Sequence, residues 1–79
     1  MKQLRMCDLA AGKSGVVAAI SEDAPLYRRL LELGLAEGSR VTCLGRSLWG
    51  DPAAYRICGA GVGLRREDSA FVLLEVDDD

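Results

Sequence analysis

Pro25-Leu26-Tyr27-Arg28-Arg29-Leu30-Leu31-Glu32-Leu33-Gly34-Leu35-Ala36-Glu37-Gly38 carries the one strong helical pattern in the chain. Leu26, Leu30 and Leu33 recur at i, i+4 and i+7, which sets them on one face of a helix. Tyr27 and Leu31 widen that stripe, while Arg28, Arg29 and Glu32 fall on the other side. Pro25 suits a first helical position, where a missing N–H and a fixed φ cost nothing. Gly34 stands just past the last periodic residue, where a left-handed stop favours glycine. The spacing predicts a helix over residues 25–33. A helix of about nine residues is marginal alone in water, so it must lie on something, and the rest of the chain reads as strands.

Working outward, Ser21-Glu22-Asp23-Ala24 is a polar lead-in, with Ser21 and Asp23 as candidate caps. Before it, residues 15–20 form a strand with apolar residues on both faces, which predicts cover on both sides. Residues 1–8 read as an edge strand or extended arm ending in a tight turn at Cys7-Asp8-Leu9. After the helix, residues 40–45 form a strand with Val41 and Cys43 on one face. Arg46-Ser47-Leu48-Trp49-Gly50-Asp51-Pro52 is the longest irregular stretch, because Gly50 and Pro52 oppose a central strand. Residues 53–58 and 62–65 form a hairpin turning at Gly59-Ala60-Gly61. Arg66-Glu67-Asp68-Ser69 is a polar turn, and residues 70–76 are the last and most apolar strand. About five short strands with glycine turns predict a mainly β protein, a small barrel or sandwich with one inserted helix.

Seventy-nine residues make one domain, residues 1–76, followed by an acidic tail at 77–79. The formal net charge is −2, and Asp77, Asp78 and Asp79 supply three negative charges, which leaves +1 for the body. A near-neutral body without interleaved basic and aromatic residues argues against nucleic acid as a partner. Three widely spaced cysteines, Cys7, Cys43 and Cys58, do not form a disulfide framework. With no signal peptide and no apolar run of membrane-spanning length, a reducing, cytoplasmic home is expected, with no direct membrane insertion.

Catalytic signatures are missing. There is no histidine, the commonest general base and metal ligand. Gly59-Ala60-Gly61-Val62-Gly63 lacks the lysine and following helix of a phosphate-binding loop. Carboxylates such as Glu37, Asp51 and Asp68 sit in turns, where capping explains them. The cysteines read as small buried hydrophobes. No catalytic residue, metal site or cofactor is expected. Two features ask for more than a core role. Trp49 stands in a proline-containing loop, where it either tucks into the core or faces a partner. Tyr27, Arg28 and Arg29 open the helix. Exposed Trp, Tyr and Arg are the types enriched at binding hot spots.

Tyr27-Arg28-Arg29-Leu30-Leu31-Glu32-Leu33-Gly34-Leu35, Glu37-Gly38-Ser39, Gly50-Asp51-Pro52 and Val62-Gly63-Leu64-Arg65-Arg66, in that order, resemble the FeoA family, ferrous iron transport protein A. The resemblance runs from about Leu4 to Val76. It implies an SH3-like β-barrel with a helix inserted between early strands. It also implies a small cytosolic accessory of the FeoB-type membrane GTPase transporter, with transition-metal binding a property at family level. The chain departs from the family where Leu48-Trp49 replace the Pro-Leu often found before Gly-Asp-Pro. The partner-binding residues expected on this basis are Tyr27, Arg28 and Leu31 on the helix and Trp49, Asp51 and Pro52 in the loop. The rival expectation is a stand-alone SH3-like peptide-binding module, its groove drawn from Trp49, Tyr27, Tyr55 and Phe71. Self-association through an edge strand is a further expectation.

Overall fold

The structure, a computed structural model, describes residues 2–49 and 51–77. Asp78 and Asp79 of the acidic tail, and Gly50 of the Gly50-Asp51-Pro52 motif, lie outside the described residues. Six strands form one antiparallel sheet: β1 (Lys2–Arg5), β2 (Ser14–Ile20), β3 (Arg40–Arg46), β4 (Ala53–Ile57), β5 (Ala60–Leu64) and β6 (Val72–Val76). Their order across the sheet is β1-β6-β2-β3-β4-β5. The fold is mainly β with a helix inserted between β2 and β3, as expected, and it has a second, four-residue helix at Arg66–Ser69, where the sequence reads as a polar turn. The count is six rather than five, because Lys2–Arg5 pairs fully with β6, Lys2 opposite Val76 and Arg5 opposite Leu73. The ladder stays open, with β1 and β5 as its two edges.

One side of the sheet carries the core. Val41 and Cys43 from β3, Tyr55 and Ile57 from β4, and Val72 and Leu74 from β6 are fully buried. Met6 and Leu9, from the 3-10 turn Met6–Asp8 and the residue after it, close one side. The period-2 alternation of β4 and β6 follows this burial directly. Strand β2 differs from its expectation. Only Gly15 and Val17 are buried, and Ala19 is exposed. A bulge between Val17 and Ala19 shifts the register against β6, which turns the end of the strand away from the covered side.

Helix α1 spans Tyr27–Glu32, six residues instead of the nine expected. Ala24 and Tyr27 close a tight turn first, through Tyr27 N–H donating to the Ala24 carbonyl at 3.0 Å. Leu26 sits outside helical geometry, at φ −106° and ψ 30°. Pro25 therefore belongs to the turn and not to the first helical position. Ser21 Oγ accepts from Asp23 N–H in the lead-in and caps no helix. Six residues make less than two turns, so the apolar stripe narrows. Leu30 is fully buried, Leu33 and Tyr27 are half-buried, and Leu26 and Leu31 are exposed.

The helix stop is as expected. Gly34 has φ +102°. Leu35 N–H donates to the Leu30 carbonyl and Gly34 N–H to the Leu31 carbonyl. This is a Schellman ending, and its usual apolar contact is present in the buried pair Leu30 and Leu35. The second hairpin turns earlier than expected. Cys58 and Gly59 both have positive φ, 50° and 83°, and Ile57 pairs with Ala60. That is a two-residue type I′ loop, whose twist matches the flanking strands.

Candidate functional site

The loop between β3 and β4 (residues 47–52) is built on a fixed base. Ser47 N–H donates to the Pro52 carbonyl at 3.1 Å and closes its neck. Asp51 Oδ1 accepts the backbone N–H of Arg66 at 2.9 Å. Arg66 opens the short helix α2 (Arg66–Ser69), so the carboxylate satisfies one of the orphan donors there. The side chain of Arg46, at the end of β3, donates to the carbonyls of Cys7, at 2.8 Å, and Leu9. Arg66 Nη2 meets Asp8 Oδ1 at 2.9 Å, and Arg66 Nη1 reaches the Cys7 carbonyl at 3.4 Å. Two arginines, one at the end of β3 and one at the start of α2, thus tie the 3-10 turn to the base of the loop.

Tyr55 completes this base from inside. Its ring is fully buried and its hydroxyl donates to the Met6 carbonyl at 3.2 Å. Burial pushes its pKa above the ordinary value near 10, and the Ser69 hydroxyl and the Arg46 charge oppose that only in part. A folded-state pKa raised above the unfolded value gives stability that is complete below the unfolded pKa. It is lost as pH climbs through the folded one. We expect stability to fall above pH ~10, read by urea unfolding across pH 8 to 12. Tyr55→Phe should flatten that decline and cost about 1 kcal/mol at neutral pH through the orphaned Met6 carbonyl.

Leu48 and Trp49 stand at the tip of this base and are 89% and 87% exposed. Trp49 therefore does not tuck into the core. Beside the loop, a recess of about 390 Å³ opens on the outer face of the sheet, lined by Leu44, Gly45, Pro52, Ala54 and Gly63 among others. Two adjacent, almost fully exposed apolar side chains are unusual on a small protein.

The six expected site residues divide into two groups. Trp49, Asp51 and Pro52 share the loop, but the Asp51 carboxylate is engaged in holding α2. Arg28 and Leu31 are exposed on α1, and Tyr27 packs against the core. The C-terminal end of α1 meets the β4–β5 turn, where Cys58 Sγ donates to the Gly34 carbonyl at 3.4 Å. That turn is at the far end of β4 from the loop. No hydrogen bond or ion pair among the described residues joins the two groups. The aromatic groove of the rival expectation is not assembled: Tyr55 is buried, Tyr27 and Phe71 are half-buried, and Trp49 projects alone. Sequence reasoning missed the support that Arg46 and Arg66 give the loop, and it named Tyr55 only as a groove residue and not as part of that support. Their partners lie 37 to 59 residues away in the chain, so no local spacing signals them.

Among the described residues, no three His, Cys, Asp or Glu side chains converge as a metal site would require. Cys7 and Cys43 are buried and Cys58 is exposed, all three as free thiols. No helix among the described residues is long and apolar enough to cross a membrane.

Residues 4–76 match the family model of the FeoA domain. The chain belongs to the FeoA family. A relative from Porphyromonas gingivalis, an Fe(2+) transport protein A/Fe(2+) transporter FeoB fusion protein, is 32% identical over 73 residues. The match takes in 92% of this chain and 9% of that protein, so the chain spans only a small part of the fusion. Among solved structures, a FeoA-like protein from Clostridium acetobutylicum superimposes with a TM-score of 0.88 at 24% identity, covering 96% of this chain and 88% of that one. A FeoA from Stenotrophomonas maltophilia complexed with zinc, described as a procaryotic SH3 domain protein, gives 0.80 at 22% identity, covering 91% and 89%. The fold of this FeoA domain is thus SH3-like, and the family is one of ferrous iron transport.

Proposed function

We propose that this FeoA domain is a small accessory of ferrous iron uptake that binds the cytosolic part of an FeoB-type GTPase transporter. The observation that carries the reading is the Porphyromonas gingivalis relative, in which a FeoA segment and a FeoB segment share one polypeptide. Covalent linkage raises effective concentration when two parts work together. The exposed pair Leu48 and Trp49, on a loop held at Ser47, Asp51 and Arg46, offers a surface for contact. Arg28 and Leu31 of α1 form a second, smaller surface.

On this reading the domain works in the cytoplasm, at the membrane face through its partner. It changes the transporter's assembly or GTP turnover by contact rather than by catalysis. The test is the GTP hydrolysis rate of a purified FeoB-type transporter titrated with this domain. A saturable change in rate is expected. Trp49→Ala should weaken the half-saturating concentration about thirtyfold, the effect of losing a hot-spot residue worth about 2 kcal/mol. Leu31→Ala should weaken it less. A hydrolysis rate indifferent to saturating domain, with no binding detected, would end the proposal.

A further inference from the structure

The two edges of the sheet are unlike. Strand β1 carries exposed Lys2 and Arg5, charged residues of the kind that protect an edge from pairing. Strand β5 reads Ala60-Gly61-Val62-Gly63-Leu64, with no charge and no proline. The two-residue turn fixes which backbone groups of β5 are used. Ile57 and Ala60 form the hydrogen-bonded pair that closes the turn. Alternation then assigns Tyr55↔Val62 and Ala53↔Leu64 as the other bonded pairs. The N–H and C=O groups of Gly61 and Gly63 therefore point away from β4, to the open side. No described residue outside the ladder bonds them.

Glycine at these two positions has no reason within the fold. Neither has a positive φ. A Cβ on Gly63 would meet nothing within 4 Å, and one on Gly61 only the Leu44 methyl at 3.8 Å. Gly45, Ala54 and Gly63 also lie side by side across β3, β4 and β5, a row nearly bare of side chains. What such residues leave is an unobstructed backbone edge. Along it, a groove of about 670 Å³ separates β5 from α1, lined by Leu26, Arg29 and Leu33 on one wall and by Val62, Leu64 and Phe71 on the other.

We infer that β5 accepts an extended segment of the FeoB-type transporter as a seventh strand, an inference that rests on the proposed function. Gly61 and Gly63 would give and receive its backbone hydrogen bonds, the mode of recognition by strand addition. Side chains of an added strand alternate between the two faces. Every second residue of the segment therefore enters the groove and must be apolar, to match Leu26, Leu33, Val62 and Phe71. The rim of the groove carries both signs of charge, Arg29 and Arg65 with Glu67 and Asp68, so polar or charged residues of either sign are matched at the ends of the segment and apolar ones at its centre. A second copy of this chain is the poorer occupant. A second β5 brings only small side chains, Ala60, Val62 and Leu64 on one face and glycine on the other, to a groove of about 670 Å³.

The experiment follows backbone amide exchange in the full chain, alone and with a purified FeoB-type transporter. Free, Gly61 and Gly63 should exchange fast. Bound, both should slow by about tenfold or more. Gly63→Pro removes an N–H that the ladder does not use, so the fold tolerates it, and binding should weaken about tenfold. Gly63→Lys, which adds the kind of charge that guards β1, is the second variant and should weaken binding likewise. Binding with no slowing at Gly61 and Gly63 would overturn the strand-addition inference and leave the proposed function standing. Absence of binding would overturn both. Slowing in the chain alone that grows with its concentration would assign the edge to self-association and also overturn the inference.

Discussion

Leu30→Ala is expected to destabilise the domain by about 3 kcal/mol, whereas Leu31→Ala one position along should change stability by less than about 0.5 kcal/mol. Leu30 is fully buried and Leu31 is 43% exposed. The six-residue α1 is too short to persist through backbone bonds alone. Its attachment depends chiefly on Leu30, its one fully buried side chain, with Tyr27 packed beside the core, and on the buried Leu35 beyond the Schellman turn. Removing Leu30 leaves a cavity and detaches both. In urea, where small domains have slopes of about 1 kcal/mol per molar, the midpoint should drop by roughly 2–3 M. Equal effects for the two leucines would contradict the orientation of α1 described above.

Gly34→Ala should cost about 2–4 kcal/mol, the sum of two separable penalties. The first is local: φ of +102° lies where a side chain is strained whatever the space. The second is crowding, because a Cβ at Gly34 would lie 2.7 Å from Cys58 Sγ and 3.3 Å from Cys58 Cβ. The sulfur can rotate away, but the Cβ cannot. Repeating the substitution in a Cys58→Gly background removes the second penalty and leaves the first. The two substitutions should therefore couple by about 1 kcal/mol or more in a double-mutant cycle. Strict additivity in the urea midpoints would mean that the helix stop and the β4–β5 turn do not touch.

Gly34 also marks what the sequence could reveal. Its place after a periodic leucine pattern predicts a helix stop, because only local geometry is involved. Its second duty, admitting the β4–β5 turn, depends on a residue 24 positions away and leaves no local sign. The same division runs through the chain. Strands β3, β4 and β6 are legible because one face is buried and the period of two survives. The helix is legible as an element, but its start is not, since Pro25 fits a tight turn as well as a first helical position. The hairpin turn is misplaced from glycine content alone, because Cys58 takes a positive φ that glycine usually supplies. At the candidate site, residue type and loop context single out Trp49 but leave open whether it tucks in or projects, which the structure decides as projecting. Arg46, Arg66 and Tyr55, which hold the loop up, act on the 3-10 turn Met6–Asp8 across the length of the chain.

Asp51 shows why residue type is an incomplete guide. In sequence it reads in two ways, as a turn carboxylate that capping explains and, through the resemblance, as part of a contact surface. In the structure its carboxylate satisfies the start of α2. Asp51→Asn keeps an acceptor for that bond, while Asp51→Ala does not. A loss of binding in the alanine variant alone would therefore report on loop support, not on a direct contact.

The central claim is that the loop tip meets an FeoB-type transporter, and Trp49 reports on it without added probes. It is the single tryptophan of the chain, so the nitrogen-labelled domain gives one indole N–H resonance. The decisive measurement follows that resonance as unlabelled transporter cytosolic region is added. The account predicts that it shifts or broadens saturably, ahead of resonances from the charged β1 edge. A Trp49 indole signal unmoved at saturating transporter, while other resonances of the domain respond, would contradict the account.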